Sequence, residues 1–173
     1  MTLLAGSNTP TTGGGSAGSL STGNAYGGAD SINVAVANGV VTSLNVYLIS
    51  STGTATLIYL GLYDSGGNLL CQGNVAPAAG LNTVAIAGGP TLSSGTQYHL
   101  VVQANGTGVL LVDDGTTFHR QRITNATLPL PSTLTFPGTN VNAGQLTMWA
   151  DGTSSGTTEQ NFNGAMGMMG MGT

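Results

Sequence analysis

The side chains that could take part in acid–base chemistry are few in this chain of 173 residues. There are six acidic residues, two histidines, two arginines and one cysteine. Asp113 and Asp114 are consecutive at the end of a predicted strand, so their side chains point to opposite faces and cannot act as a pair on one substrate. His99 lies within another apolar strand, where a structural role is typical. We therefore predict that the protein is not an enzyme and uses no cofactor.

Three short Asp-Gly segments are the places where a metal ion could bind. They are residues 64–66, 113–115 and 151–153. None has the alternating oxygen ligands of a loop such as the EF-hand, and Asp next to Gly is typical of tight turns. A single cysteine, Cys71, also excludes an internal disulfide and a Cys-rich metal site. The segments are predicted to be turns and not metal sites, with a calcium ligand as the alternative.

Charge is scarce along the whole sequence. Only 5% of the residues are charged, lysine is absent, and the formal net charge is -4. Globular proteins average ~25% charged residues. Because no basic patch can neutralise a run of phosphates, nucleic acid and anionic membranes are excluded as partners. The N-terminus shows neither a secretory signal nor a membrane anchor, so synthesis in the cytoplasm is expected.

Four aromatic residues form a candidate binding platform. Trp149 together with Tyr47, Tyr59 and Tyr63 could stack against a sugar ring, as in carbohydrate-binding sandwich domains. The alternative is that these side chains fill the core or a protein interface, which is the commoner role of large aromatic residues.

The two cations are close together. Phe118, Arg120 and Arg122 alternate, so on a strand they share one face. This pattern predicts either a small cationic strip that binds an acidic neighbour or a solvated edge on which the aliphatic parts of the two arginine side chains cover Phe118.

The C-terminal segment is rich in glycine and methionine. It holds four of the six methionines, and methionine side chains adapt to irregular apolar grooves. The segment is either a low-complexity end or an interface with neighbouring subunits. Its candidate interface residues are Phe162, Met166, Met168, Met169 and Met171.

The stretch from Thr54 to Cys71 predicts the architecture. Ile58, Leu60 and Leu62 fall on one face and Tyr59 and Tyr63 on the other, which is the period of a β-strand. A turn at 64–67 then reverses the chain, so this stretch is predicted to be a hairpin.

Similar patterns follow along the chain. Asn38-Gly39 and Asn105-Gly106 each predict a further hairpin turn. Residues 1–31 are poor in apolar groups and predict an extended arm, residues 32–151 the folded domain, and residues 152–173 a tail. The expected fold is all-β, an antiparallel jelly-roll-like sandwich without helices.

Four segments between residues 40 and 104 carry a family resemblance. VTSLNVYLISS, LIYLGLYDSGGNLL, AAGLNTVAI and TLSSGTQYHLVVQ resemble the jelly-roll sandwich domains attached to secreted bacterial hydrolases, which also occur in virion proteins of tailed phages. The resemblance implies a sandwich fold that binds glycans in some settings and is structural in others.

A stand-alone jelly roll with glycine-rich arms and a Met-Gly tail looks more like a phage decoration, cement or fibre subunit. That resemblance implies a homo-oligomer, commonly a trimer, seated on a major capsid or other virion protein. The expected location is the virion, after synthesis in the host cytoplasm. The alternatives are a carbohydrate-binding module and a self-assembling extracellular filament or surface-layer subunit.

Overall fold

The computed structural model describes residues 1–8, 16–27, 35–112, 119–124, 127–136, 139–143 and 146–154. Within these ranges the chain forms thirteen β-strands and no helix, and the strands build two antiparallel sheets packed against each other. The predicted antiparallel β-sandwich is confirmed. No helix in the described ranges is long and apolar enough to cross a membrane.

The two sheets are called A and B. Sheet A has the order β1 (Thr2–Gly6), β13 (Met148–Ser154), β4 (Gly39–Ser51), β10 (Val109–Val112) and β2 (Ser16–Leu20), and β7 (Gly80–Ala85) and β8 (Thr91–Leu92) also pair with β4. Sheet B has the order β12 (Thr139–Ala143), β11 (His119–Thr124), β3 (Asn24–Gly27), β9 (Tyr98–Ala104), β5 (Ile58–Asp64) and β6 (Leu69–Val75).

The main core lies between the sheets and follows from strand alternation. On β4, Leu44, Val46 and Leu48 are fully buried, and on β5 so are Ile58 and Leu62. Removing such side chains from water is the main term that stabilises a fold of this kind. The faces predicted for β5 are confirmed.

The predicted hairpin over Thr54 to Cys71 is confirmed as β5 and β6. The turn between them is closed by the carboxylate of Asp64, whose Oδ1 accepts hydrogen bonds of 2.9 Å from the backbone N–H groups of Gly66 and Asn68. Gly67 has a φ of 83°, a conformation that glycine adopts without strain.

The predicted hairpin at Asn38-Gly39 is wrong. Gly39 is the first residue of β4 and pairs with both Leu92 and Ser154, while Asn38 Oδ1 accepts a hydrogen bond from the backbone N–H of Ser94. A Cβ atom at position 39 would lie 2.6 Å from the carbonyl oxygen of Thr153. The glycine therefore serves the close approach of two strands and not a turn.

The predicted hairpin at Asn105-Gly106 is also wrong, because β9 belongs to sheet B and β10 to sheet A. The loop crosses between the sheets beside the loop that joins β4 to β5. Asn105 Oδ1 accepts hydrogen bonds from the backbone N–H groups of Thr56 (2.9 Å) and Leu57 (3.0 Å), and Asn105 Nδ2 donates to Thr56 Oγ1 (2.8 Å). This asparagine joins the two crossing loops instead of reversing one strand.

Residues 1–31, predicted to be an arm, contain three strands of the sandwich. β1 pairs with β13, β2 with β10, and β3 lies between β9 and β11. Among their few apolar side chains, Leu4, Leu20 and Ala25 are fully buried. A small number of well-placed apolar groups is thus enough to bring this polar region into the sheets.

At the other end, β13 continues to Ser154, past the predicted domain boundary at 151, so residues 151–153 are part of a strand and the turn predicted there is wrong. The hairpin predicted at Asn38-Gly39 requires a strand just before Asn38, and residues 35–37 are outside any strand.

A second, smaller core lies on the outer face of sheet B, beneath residues 127–136, here called the strap. Tyr63 and Leu130 are buried in it, and the hydroxyl of Tyr63 donates a 2.9 Å hydrogen bond to the carbonyl oxygen of Pro131. The Phe136 ring stacks on His99 with centroids 3.8 Å apart. This proline-containing segment crosses the outer face of sheet B.

Candidate interaction surface

The four candidate platform residues lie on two different faces of the molecule. Tyr59 and Tyr63 belong to β5 and face the strap on the outside of sheet B, where Tyr63 is fully buried and Tyr59 half-buried. Burial raises the pKa of the Tyr63 phenol far above its ordinary value. Tyr47 and Trp149 lie on the outer face of sheet A. The structure therefore brings together Tyr47 and Trp149 only.

The outer face of sheet A is built from three strands in register. β4 lies between β13 and β7, so that Asn45 is opposite Trp149 on one side and Thr83 on the other. One step further along this face, Tyr47 is opposite Leu81. Residues two apart on a strand share a face, so these five side chains form one continuous surface.

Hydrogen bonds within the sheet satisfy the polar atoms around Trp149. The indole Nε1–H donates to Asp151 Oδ2 at 2.8 Å, and Asn45 Nδ2 donates to the same oxygen at 3.3 Å. Thr83 Oγ1 donates to Asn45 Oδ1 at 2.8 Å. Only 8% of Trp149 is exposed. The tryptophan is therefore a fixed part of the sheet and offers little ring surface to a sugar.

Beside this network the face is apolar and open to solvent. Leu81 is 55% exposed and Ile49 is 42% exposed, and the half-buried ring of Tyr47 lies on the same face. We call Tyr47, Ile49 and Leu81 the outer patch. Among the seven strands described for sheet A the only charged residue is Asp151. The outer patch thus offers apolar contact on a nearly uncharged surface.

Part of the outer patch was not among the sequence-predicted site residues. In the sequence, Ile49 alternates with Asn45 and Tyr47, and Leu81 with Thr83. In the structure Ile49 lies at a bulge where β4 pairs with β10, and its exposure beside the buried Leu48 places it outside the core. A large aliphatic residue on an otherwise polar face is the signal that could have identified both of them.

The cationic residues lie on β11, an inner strand of sheet B. Arg122 is opposite Tyr26 and Thr139; its side chain is half-buried, and its Nε has no hydrogen-bond partner among the described residues. Arg120 is opposite Asn142. Phe118 and the side chain of Arg120 lie outside what the structure describes, so the predicted strip is traced only along the backbone.

The remaining reactive side chains are separated from one another. Cys71 packs against the main core, and burial raises the pKa of its thiol to about 12. His99 is buried beneath Phe136. In the described ranges no three His, Cys, Asp or Glu residues come together in a way that could hold a metal ion.

Several sequence-predicted residues lie outside the described ranges. These are Asp113, Asp114 and the five candidate interface residues of the tail: Phe162, Met166, Met168, Met169 and Met171. Comparisons of the chain with known protein families, with curated proteins and with solved structures find no match.

Proposed function

We propose that this protein is a non-enzymatic structural subunit of a larger assembly, of the kind that decorates, cements or extends the virion of a tailed phage. In this proposal it binds neighbouring subunits through the outer patch and its terminal segment. The observation that carries the proposal is the exposed apolar surface formed by Tyr47, Ile49 and Leu81 on a sheet face with almost no charge.

The physical character of this surface suits a permanent contact. Large apolar groups that are exposed side by side mark protein interaction sites more often than single exposed residues do. Burying Leu81 and Ile49 against a neighbour would stabilise a complex by the hydrophobic effect, at about 25 cal/mol for each Å² of apolar surface buried. Because charges are nearly absent, salt should weaken the contact little.

The rest of the fold, away from the outer patch, also suits a structural role. The strap is fixed to sheet B by the hydrogen bond from Gln72 Nε2 to the Leu130 carbonyl oxygen (3.0 Å) and by that from Leu134 N–H to the Gly67 carbonyl oxygen (2.9 Å). The crossing loops are joined by Asn105. A fold held together in this way has little conformational freedom to lose on binding, which lowers the entropy cost of binding a neighbour.

Two aspects of the proposal come from the resemblance of residues 40–104 to virion sandwich domains. One is the partner, which is a second copy of the chain together with a major capsid or other virion protein. The other is the location in the virion. A trimer is the oligomer that the resemblance implies.

The test is the solution mass of a Leu81→Asp variant, measured by sedimentation equilibrium, with Val36→Asp as the matched control. Val36 is similarly exposed, at 62%, but lies in the segment before β4, outside the outer patch. We expect Leu81→Asp to lose the contact and Val36→Asp to keep it. Equal behaviour of the two variants would contradict the proposal.

A second candidate function, glycan binding, is favoured by one observation. The half-buried Tyr47 ring lies on an open sheet face with almost no charge, where an aromatic ring can stack against a sugar. A glycan screen with the wild-type protein tests it.

A further inference from the structure

The far edge of β6 is the feature that carries this inference. β6 is the last strand of sheet B and pairs along its length with β5. No described strand pairs with its other side. A strand edge of this kind displays backbone N–H and C=O groups that another strand can bind.

Strand alternation identifies the groups that point outward. The N–H of Asp64 donates a 2.9 Å hydrogen bond to the carbonyl oxygen of Asn68, so Asp64 directs its backbone groups toward β6. Successive residues of a strand direct these groups to alternate edges, so Leu62 and Leu60 also face β6. Their partners on β6 are Cys71 and Gly73.

The residues between and after these partners, Gln72 and Asn74, must therefore direct their N–H and C=O groups away from β5. They are the hydrogen-bonding groups that the far edge of β6 presents.

The strap covers only the beginning of this edge. The N–H of Leu69 donates to the carbonyl oxygen of Ser132 at 2.8 Å, and the N–H of Leu134 donates to the carbonyl oxygen of Gly67 at 2.9 Å. Gln72 contacts the strap through its side chain, which binds the Leu130 carbonyl oxygen. Among the described residues, no backbone group is bonded to the far edge beyond Leu69.

The edge also lacks most of the devices that keep strands from pairing with other chains. Natural sheets protect their edges with lysine, proline or inward-pointing charges. The sequence of β6, LLCQGNV, contains none of these, and the chain has no lysine at all. A bulge at Leu70 disturbs only the end that the strap already covers.

We infer that β6 pairs with β6 of a second copy, antiparallel and about a two-fold axis at Gly73, to give one continuous sheet across two subunits. Gln72 then pairs with Asn74 of the partner subunit, and Asn74 with Gln72 of the partner subunit. Each pair exchanges two backbone hydrogen bonds. This inference deepens the proposed function and rests on it, since it makes one of the neighbours a second copy.

Gly73 suits the central position of that pairing. The two copies of Gly73 form the non-hydrogen-bonded pair between the two bonded ones, where Cα atoms come within about 4.5 Å. Glycine has no side chain to hinder this approach. Within its own subunit the missing Cβ atom also leaves room for Val84 Cγ1, so the glycine has a packing role as well.

A second copy fits this edge better than an unrelated partner because the edge is complementary to itself. A two-fold contact uses the same residues on both sides and closes without leaving an open edge. A two-fold contact pairs each chain with one other, so the assembly contains an even number of chains. If other contacts form a trimer, two trimers would be joined through β6.

The test compares Asn74→Pro with Ala85→Pro, by light scattering on the full chain. Proline removes the outward N–H of Asn74 but leaves the hydrogen bonds between β5 and β6, and edge strands tolerate proline at such positions. Ala85 is the matched control on the edge of sheet A. Its neighbour Ile86 donates its N–H to the Thr42 carbonyl oxygen, so the Ala85 N–H points to the far side of β7.

We expect Asn74→Pro to weaken self-association at least about tenfold, since both copies lose a hydrogen bond, and Ala85→Pro to leave it unchanged. A wild-type monomer, or an Asn74→Pro protein with unchanged association, overturns the inference. Loss of association in Ala85→Pro alone assigns the contact to β7 and also overturns it.

A second pair of variants covers the case in which Asn74→Pro does not fold. Asn74→Lys adds a protective charge to the edge without changing the backbone, and Ser65→Lys places the same charge in the exposed turn of the same hairpin. Only Asn74→Lys should lower the mass of the protein in solution.

Leu81→Asp separates this inference from the proposed function. If Leu81→Asp dissociates the protein while Asn74→Pro does not, the outer patch contact stands and the β6 contact fails. If Asn74→Pro dissociates the protein while Leu81→Asp does not, the β6 contact stands and the outer patch contact fails.

Discussion

The indole N–H of Trp149 donates a 2.8 Å hydrogen bond to Asp151 Oδ2, two residues further along the same strand. Asn45 on the neighbouring strand donates to the same oxygen. One carboxylate thus fixes a nearly buried tryptophan and a buried asparagine at the margin of the outer patch. The single tryptophan of the chain therefore reports directly on this part of sheet A.

Asp151→Ala should destabilise the protein by about 1.5–3 kcal/mol, because it leaves the Trp149 and Asn45 donors without their charged acceptor. Urea unfolding followed by tryptophan fluorescence measures this change. Thr153→Ala, an exposed substitution on the same strand, is the control and should lie within about 0.5 kcal/mol of wild type. Equal stability of Asp151→Ala and wild type would contradict the role given to the carboxylate.

Asn105→Ala should destabilise the sandwich by about 1–2 kcal/mol, because the backbone N–H groups of Thr56 and Leu57 lose their acceptor. Asn105→Asp keeps that acceptor and loses only the donor to Thr56 Oγ1, so it should recover most of the stability. Chemical denaturation of the three proteins tests this order. If Asn105→Asp were as unstable as Asn105→Ala, the hydrogen bonds accepted by Oδ1 would not explain how the crossing loops are joined.

Tyr63→Phe should cost about 0.5–1.5 kcal/mol, because the ring stays buried while the hydrogen bond to the Pro131 carbonyl oxygen is lost. Tyr59→Phe, on the same face of β5, is the matched control and should change stability less. Denaturation midpoints compare the two. A larger loss in the Tyr59 variant would mean that the strap is not fixed through Tyr63.

The turn at Asp64 predicts a dependence of stability on pH. The pKa of Asp64 lies below its ordinary value of 3.8. The largest cause is the hydrogen bond from the Asn68 side chain, and hydrogen bonds from backbone N–H groups lower it further. A carboxyl whose pKa is lower in the folded state adds stability that is present above the unfolded pKa and is lost as pH falls through the folded pKa. Asp64→Ala should therefore lose stability near neutral pH and approach wild type well below pH 3.8. Denaturation at several pH values measures the difference, and a difference that stayed constant into acid would contradict the assignment.

The terminal segment gives a further prediction. A chain that ends at Ser154 should keep its unfolding midpoint, since the main core runs from Leu4 to Ala150, and should associate more weakly because the candidate interface methionines are gone. Tryptophan fluorescence and light scattering report the two properties. Unchanged association of the shortened chain would remove the tail from the proposed contacts.

Glycan binding has a distinct expected result. As a structural subunit the wild-type protein should give no signal in a glycan screen. Binding that is lost in Tyr47→Ala but kept in Tyr59→Ala, whose ring lies on the opposite sheet, would favour the second candidate function.

The sequence predicted those features that depend on neighbouring residues. Alternation along β5 placed Leu60 in the main core and Tyr59 on the other face, and Asp64 marked the turn. Asn105 shows the limit, because a turn dipeptide indicates that the chain changes direction but not which sheet it enters next. That choice depends on hydrogen bonds to Thr56, about fifty residues away.

The candidate site was only partly predictable for the same reason. Trp149 and Tyr63 are both aromatic residues in strands, and nothing local shows that one faces the outside of sheet A and the other lies beneath the strap. Sheet membership is fixed by long-range pairing, for example of Trp149 with Asn45.

The most direct test of the central claim is the mass of the wild-type protein in solution, measured by light scattering at low and high salt. If the outer patch of Tyr47, Ile49 and Leu81 binds neighbouring subunits, the protein is an oligomer whose mass changes little with salt, because the contact contains almost no charge. A monomer at both salt concentrations, or an oligomer that dissociates when salt is added, would contradict the account.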